Sequence, residues 1–344
     1  MEIHGLKLYK IDSKKQDLQC IESEHITEDF QEYCKALVSG VLQNENSRRF
    51  NLRRETTEVY SLIKNAIYSA DFDNSSASIA RRLLEQEIST LEKMSHLHTE
   101  IQKGILLQAH VKHEDVDKHI ICKAEDTEVI TDKDYLRTRG YPIKKKIFKS
   151  FYVEFNKEMN PSIFKIYDTN ERISKFWWDG FLELNHFWDD KYNTERAFSL
   201  IDSKVLSRCK KDYPSDYMQL RNATITLFRS KGEFSMEEYI DEVIKPYKPV
   251  KQSLDLGDLA ERLKILPERC DFDRRFTLVP NVIRAKIRTV VPLTEQIELH
   301  LKQDLDIRNT IFPEKSTEGE KFIKIRTDKG YDTFLQRIES NGKD

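Results

Sequence analysis

The chain has 344 residues, with 57 Lys+Arg against 59 Asp+Glu and a formal net charge of -2. That length suits two or three domains of roughly 150 residues each. The balanced charge excludes a uniformly basic, DNA-coating protein. No run of about 18 apolar residues is present, so membrane insertion is not expected, and the first residues lack the basic and apolar regions of a secretory signal.

The cysteine content indicates a reducing compartment. Five cysteines occur, far apart and without a C-x-x-C pair, and this pattern favours a reduced, cytoplasmic protein. The chain has only 10 glycines and 9 prolines, which argues against long disordered linkers.

The N-terminal half has the pattern of an antiparallel sheet with helices. The opening segments EIHGLKLYKI and LQCIES flank a polar turn, which predicts a strand pair. Thr27 is placed to cap a first helix, and Ser75 or Ser76 to cap a longer one. The β-prone runs 105–111 and 119–122 then predict a hairpin.

The pattern changes near residue 168. Apolar periodicity predicts that the next ~80 residues are almost wholly helical, with Thr194 and Ser235 as helix caps. After Pro249 a short helix and several strand-like runs follow, and residues 284–289 alternate basic with uncharged side chains, as a half-exposed strand does. We therefore predict an α+β protein with three regions: an N-terminal mixed domain with an antiparallel sheet (1–168), a helical middle region (169–249) and a β-rich C-terminal region (250–344).

The common catalytic motifs are absent. The sequence contains no G-x-x-x-x-G-K-[ST], no G-x-G-x-x-G after a strand, no H-E-x-x-H and no G-x-S-x-G. These absences favour a non-enzymatic protein, and no cofactor or metal is expected.

Two metal hypotheses remain as alternatives. Zinc would need ligands from the histidine-rich stretch and its cysteine, but strand alternation turns neighbouring candidates to opposite faces. A metal-dependent nuclease would need acidic residues next to a lysine; D-x-K occurs at Asp12–Lys14 and Asp202–Lys204, in a predicted turn and a predicted helix. The zinc candidates are His96, His98, His110, His113, His119 and Cys122, and the further nuclease candidates are Asp179, Glu183 and Asp189.

Two basic stretches favour contact with a polyanion. Lysine and arginine neutralise phosphates and release counterions, which gives affinity without sequence preference. The first stretch carries six positive charges and no negative charge between Arg137 and Lys149. The candidate DNA-contacting residues are Arg137, Arg139, Lys144, Lys145, Lys146, Lys149, Arg274, Arg275, Arg284, Lys286 and Arg288. The hypothesis requires these distant segments to converge into one cationic surface.

The order of segments resembles the bacterial nucleoid-associated protein family. The resemblance is carried by SASIARRLLEQE and the following GILLQAHV hairpin, by FKIYDTNERISKFWWDGFLELNHFWDD, and by RRFTLVPNVIRAKIRTVVPL with EGEKFIKIRTDKGYDTF. It runs along most of the chain. It implies a DNA-associated, non-enzymatic protein of the cytoplasm and nucleoid, dimeric, with double-stranded DNA as its partner.

Relatives of that kind also occur as accessory parts of anti-phage defence systems, so the resemblance extends to a DNA-sensing role and a second defence-system protein as partner. The alternative to DNA binding, besides the nuclease, is a protein-binding adaptor. Its exposed anchors would come from Trp177, Trp178 and Trp188.

Overall fold

A computed structural model describes residues 1–22, 24, 26–69, 71–93, 103–130, 135–142, 149–158, 160–170, 172–294, 296–302, 307–328, 330–332 and 334–335. The strands are β1 (Glu2–Asp12), β2 (Asp17–Cys20), β3 (Arg48–Leu52), β4 (Gly104–His113), β5 (Val116–Glu125), β6 (Thr127–Ile130), β7 (Arg137–Gly140), β8 (Lys149–Phe155), β9 (Pro161–Asp168), β10 (Leu184–His186), β11 (Glu233–Ser235), β12 (Arg275–Thr277), β13 (Arg288–Pro292), β14 (Glu298–Lys302), β15 (Ile311–Lys315) and β16 (Lys321–Ile325). The α-helices are α1 (Glu28–Leu42), α2 (Glu58–Tyr68), α3 (Phe72–Lys93), α4 (Asp190–Leu200), α5 (Pro214–Ser230), α6 (Met236–Tyr239), α7 (Leu256–Cys270) and α8 (Ile307–Thr310). The predicted α+β class is confirmed.

One antiparallel sheet organises the N-terminal half, in the order β10-β3-β9-β8-β5-β4-β1-β2. The predicted opening pair is β1 and β2, with Tyr9 opposite Cys20. The predicted hairpin is β4 and β5, and its turn is formed by Glu114 and Asp115, both with positive φ (53° and 59°). Two left-handed residues match the right-handed twist of the flanking strands, which is why such turns close hairpins.

Helices cover both faces of this sheet. On one face, α1 packs its buried Leu37 and Val41 against β4, β5 and β8, and Thr27 Oγ1 accepts from Phe30 N at 3.3 Å, as the predicted cap requires. On the other face α2 and α3 bury Ile63 and Leu83 against Phe50 and its neighbours. Side chains that alternate along the central strands therefore enter one core or the other.

The helical part has a single apolar core. It runs from Ala197 to Ile283 and includes residues of α4, α5, α6 and α7 together with Phe272 and Phe276. The boundary predicted after Pro249 falls inside this core, so the chain on both sides of Pro249 is packed together. Single turns of π-helix follow α4 and α6, at Ile201–Val205 and Ile240–Ile244.

A buried carboxylate joins the sheet to the helical part. Asp273 Oδ2 accepts from Arg48 Nε at 3.3 Å and from Asn193 Nδ2 at 2.9 Å, and its Oδ1 accepts from Arg49 N at 3.2 Å. Arg48 also pairs with Asp190 at 3.0 Å. The strand β3, the helix α4 and the segment after α7 thus share one polar junction.

Two predicted helix caps are wrong. Ser75 and Ser76 lie inside α3, which begins at Phe72, and both are buried against the sheet. Thr194 lies inside α4, whose cap is Asp189 with its Oδ1 accepting from Tyr192 N at 2.6 Å. Ser235 caps α6 as predicted, accepting from Glu238 N. Within the described residues no helix is both long and apolar enough to cross a membrane.

Candidate nucleic-acid interface

An extended segment between the end of α7 and β13 presents two of the predicted cations to solvent. We call residues 283–287 the Arg284 segment. Ile283 is buried and Ala285 half-buried, whereas Arg284 and Lys286 are exposed. The predicted alternation is therefore present, although the strand itself begins only at Arg288. Side chains two residues apart on an extended chain lie about 7 Å apart.

Two arginines of α5 hold this segment in place. Arg229 Nη2 donates to the carbonyls of Ile283 (3.1 Å) and Ala285 (2.8 Å). Arg221 Nη1 donates to the carbonyl of Lys286 at 3.2 Å, while its Nε is fixed by Asp202 at 2.8 Å. The backbone that carries Arg284 and Lys286 is thus braced, so a bound polyanion would order little additional backbone.

The two exposed cations of the segment have no carboxylate partner within ion-pair distance among the described residues. Among the described cations of the predicted set, Arg139, Lys149 and Arg274 do have carboxylate partners. This difference separates residues that can neutralise a phosphate from residues whose charge is already matched.

The ribbon of β6 and β7 carries Arg137 and Arg139. Arg139 is paired: its Nε and Nη2 bond the two carboxylate oxygens of Asp126 at 2.8 and 2.7 Å, and these hydrogen bonds raise the pKa of Arg139. Glu128 adds a further contact at 3.5 Å. Arg137 is exposed without such a pair among the described residues.

Lys149 is not available to a phosphate, which corrects the prediction for this residue. Its side chain lies inside the sheet, 6% exposed, with Nζ 3.1 Å from Asp168 Oδ1. The cause is its position on β8, where it lies opposite Lys123 of β5 and Asp168 of β9. A lysine at a central-strand position needs an internal counterion because both faces of the sheet are covered.

Arg274 requires a similar correction. It is 7% exposed and pairs with Glu45 (3.1 Å), Glu237 (3.2 Å) and Glu268 (3.5 Å). The neighbouring Arg275 donates from Nη1 and Nη2 to the carbonyls of Asp168 and Asn170 at 3.1 and 2.7 Å. Both arginines connect elements of the protein at the junction of sheet and helices.

The remaining predicted residues are only partly described. Lys144, Lys145 and Lys146 lie outside the described residues, and Arg288 is described only as the first residue of β13, opposite Lys302. The described candidates lie on four separate elements: the β6–β7 ribbon, the interior of the sheet, the sheet–helix junction and the Arg284 segment. The continuous surface that the hypothesis requires is therefore not seen among them.

The candidate metal ligands that the structure describes do not assemble into a site, and His96 and His98 lie outside the described residues. No group of three or more His, Cys, Asp or Glu residues with the geometry to hold a metal is found in the described part of the chain. Asp179 pairs with Arg53 and Lys175, and Asp202 with Arg221. His119 is fully buried and burial lowers its pKa to about 3.

The tryptophans differ in exposure. Trp177 is fully buried in the sheet core and cannot be an exposed anchor. Trp178 and Trp188 are half-buried, and Trp188 lies between exposed Phe187 and Tyr192, which are 47% and 38% exposed.

The sequence analysis missed the bracing arginines and a second cationic position in the sheet. Arg221 and Arg229 stand eight residues apart on α5, roughly two helical turns, and this spacing was the only local signal for the bracing pair. Arg49 and Lys165 lie opposite each other on β3 and β9, and only the pairing of these distant strands brings them together.

Comparison with known proteins leaves the resemblance untested. No family model matches the chain, and no curated protein matches it. The likeness to nucleoid-associated proteins stays a prediction.

Proposed function

We propose that the protein binds double-stranded DNA without catalysing a reaction and largely without regard to base sequence. The observation that supports this function best is the braced Arg284 segment, which exposes Arg284 and Lys286 on alternate residues. In a fully extended chain such positions are about 7 Å apart. That separation is close to the distance between neighbouring phosphates of one strand. Contacts of this kind position a protein on the duplex and carry no base information.

The proposed interface is smaller than the sequence prediction. It keeps Arg284, Lys286 and Arg137, and it includes Lys144, Lys145 and Lys146 as predicted contacts. It omits Lys149 and Arg274, because both are buried and paired with carboxylates. A homodimer would double the number of phosphate contacts, and the dimer, the nucleoid location and the role in defence all stand as parts of this proposal.

The test is a salt series of duplex binding with Arg284→Glu/Lys286→Glu. Loss of two phosphate contacts weakens binding and reduces the slope of log K against log salt by about 1.8, at about 0.9 per contact. Scrambling the duplex sequence leaves the affinity of the natural protein unchanged.

The matched control is Arg262→Ala/Lys264→Ala on α7. It also removes two exposed cations, but each is paired on the helix surface, Arg262 with Asp258 and Lys264 with Glu261 at 2.6 Å. The control keeps its salt slope. Equal slopes for the natural protein and the Arg284→Glu/Lys286→Glu variant would reject the segment as an interface.

The predicted lysines are tested separately with Lys144→Glu/Lys145→Glu/Lys146→Glu. A reduced affinity and a flatter salt dependence, with an unchanged circular dichroism spectrum, would place these residues at the DNA. Cleavage of plasmid by the natural protein with Mg²⁺ or Mn²⁺ would instead favour the nuclease alternative.

A further inference from the structure

A second cationic feature lies in a cleft between the sheet and the segment after α7. Arg49 of β3 and Lys165 of β9 are directly opposite each other in the register. Their side chains line the cleft together with Trp188 and Arg274, and the carboxylates Glu45, Glu268 and Asp273 line it as well. These elements differ from those that carry the Arg284 segment.

The two facing cations have no carboxylate of their own. Among the described residues neither side chain has a hydrogen bond or ion pair with a carboxylate. Lys165 Nζ lies over the ring of Tyr152 at 5.8 Å, and the Arg49 guanidinium lies over the ring of Trp188 at 5.3 Å. Burial of Lys165 and the neighbouring charge of Arg49 lower the pKa of Lys165.

The acidic residues nearby are committed elsewhere. Asp273 accepts from Arg48, Asn193 and the backbone of Arg49. Glu45 and Glu268 contact Arg274 at 3.1 and 3.5 Å, and Glu154 pairs with Lys118 at 2.8 Å. Arg49 and Lys165 repel each other as like charges in a half-buried position. Glu154 and Glu268 offset this repulsion only in part, because the pKa of Lys165 remains lowered, and a bound anion would reduce the remaining cost.

The rim of the cleft is aromatic. Trp188 lies 6.1 Å from the nearly parallel ring of Tyr192 and 4.8 Å from the perpendicular ring of Phe187. Exposed rings beside cations are the combination that holds a base by stacking and its phosphate by charge. The cleft is partly open to solvent and has a volume of about 30 Å³, which is room for roughly two water molecules. It therefore suits the oxygens of one phosphoryl group, with the base outside at the rim.

We propose that this cleft binds the phosphoryl group of a nucleotide, with Arg49 and Lys165 as the donors and the ring of Phe187 contacting the base. The proposal does not rest on DNA binding by the Arg284 segment. The phosphoryl group belongs either to a free mononucleotide or to the 5′ end of a strand, and the chemistry of recognition is the same for both.

Calorimetry of the full-length protein with AMP and with pyrophosphate tests the site. Lys165→Met is expected to weaken the binding of AMP and of pyrophosphate by tenfold or more each. The same substitution raises the Tm of the free protein, because it removes one of two like charges from a half-buried position. Phe187→Ala weakens the binding of AMP, whose base contacts this ring, and leaves the binding of pyrophosphate unchanged.

The matched control is Lys118→Met/Glu154→Gln. Lys118 lies over the same Tyr152 ring at 5.7 Å, but it is paired with Glu154. Removing this balanced pair leaves AMP binding intact and does not raise the Tm.

The source of the phosphoryl group is decided by comparing AMP with short oligonucleotides that carry a 5′-phosphate or a 5′-hydroxyl. Binding of AMP identifies a mononucleotide site, and preference for the 5′-phosphorylated strand without AMP binding identifies a strand-end site. Absence of binding by AMP, pyrophosphate and 5′-phosphorylated oligonucleotide at millimolar concentration would overturn the proposal, as would equal binding by Lys165→Met. Retention of AMP binding in Arg284→Glu/Lys286→Glu separates this site from the duplex interface.

Discussion

The interior of the sheet and the Arg284 segment use basic residues in opposite ways. In the sheet, Lys123 lies 2.5 Å from Glu87 and Lys149 lies 3.1 Å from Asp168, all of them buried. On the Arg284 segment, Arg284 and Lys286 are exposed and lack such carboxylate partners among the described residues. The comparison teaches that a basic residue in the sequence predicts a contact with a polyanion only when its strand or segment leaves that side chain exposed to solvent.

The strongest test of this contrast is Lys123→Met. The Lys123 side chain is 1% exposed and that of Glu87 is 0% exposed, so the substitution leaves a buried carboxylate without its cation. We expect a loss of about 3–5 kcal/mol in the free energy of unfolding, measured by urea denaturation.

The double variant Lys123→Met/Glu87→Leu sharpens the result, because it removes both charges. It should regain most of the lost stability. A single variant that loses less than about 1 kcal/mol would show that the pair is not a buried unit. Lys149→Met should cost less than Lys123→Met, since Asp168 keeps hydrogen bonds from Asn170 N and from Ser174 N and Oγ.

A smaller loss of folding stability is expected when the pH is lowered. His119 is fully buried, and burial lowers its pKa from 6.5 to about 3. Below pH 6.5 the unfolded chain takes up a proton that the folded chain does not, so stability falls as the pH falls toward 3. Between pH 7 and pH 5 this one residue accounts for about 2 kcal/mol.

The check is His119→Leu, compared with the natural protein by urea unfolding at both pH values. The variant should lose less stability between pH 7 and pH 5, by about 2 kcal/mol. His186, whose pKa burial lowers to about 4, retains its own contribution in both proteins. An unchanged pH dependence in the variant would contradict the assignment.

The smallest change in stability is expected from a substitution on the surface of α7. Arg262 and Asp258 form an exposed pair four residues apart, and such pairs contribute little because water screens them. Arg262→Ala should leave the Tm unchanged within error in a thermal scan. A clear fall in Tm would mean that the pair has a packing role.

Local patterns predicted much of the fold because they depend on neighbouring residues. The β4–β5 hairpin, the α1 cap at Thr27 and the alternation of residues 284–287 all follow from side chains within a few positions of each other. The caps at Ser75 and Thr194 failed since a serine or threonine that can cap a helix can also be buried inside one. Thr194 Oγ1 bonds Asp190 O at 2.7 Å within α4, a contact that composition does not reveal.

The candidate interface was harder to predict because counterions come from distant parts of the chain. Lys149 meets Asp168 only through the pairing of β8 with β9, and Arg274 meets Glu45 across more than half of the sequence. The basic run around Lys149 looked unopposed for that reason. Arg284 and Lys286 were identified correctly as exposed, since their alternation is a local property.

The shared carboxylate of Asp273 has a consequence for dividing the chain into fragments. A truncated protein ending at His186 would retain every strand of the sheet and with them Arg48, but lose Asp190 and Asp273, which pair with its guanidinium in the intact chain. Expression of the sheet alone would thus expose an apolar and charged edge that the helical part normally seals. Dissection of the two halves therefore calls for Arg48→Met in the sheet fragment, so that aggregation is not mistaken for loss of binding.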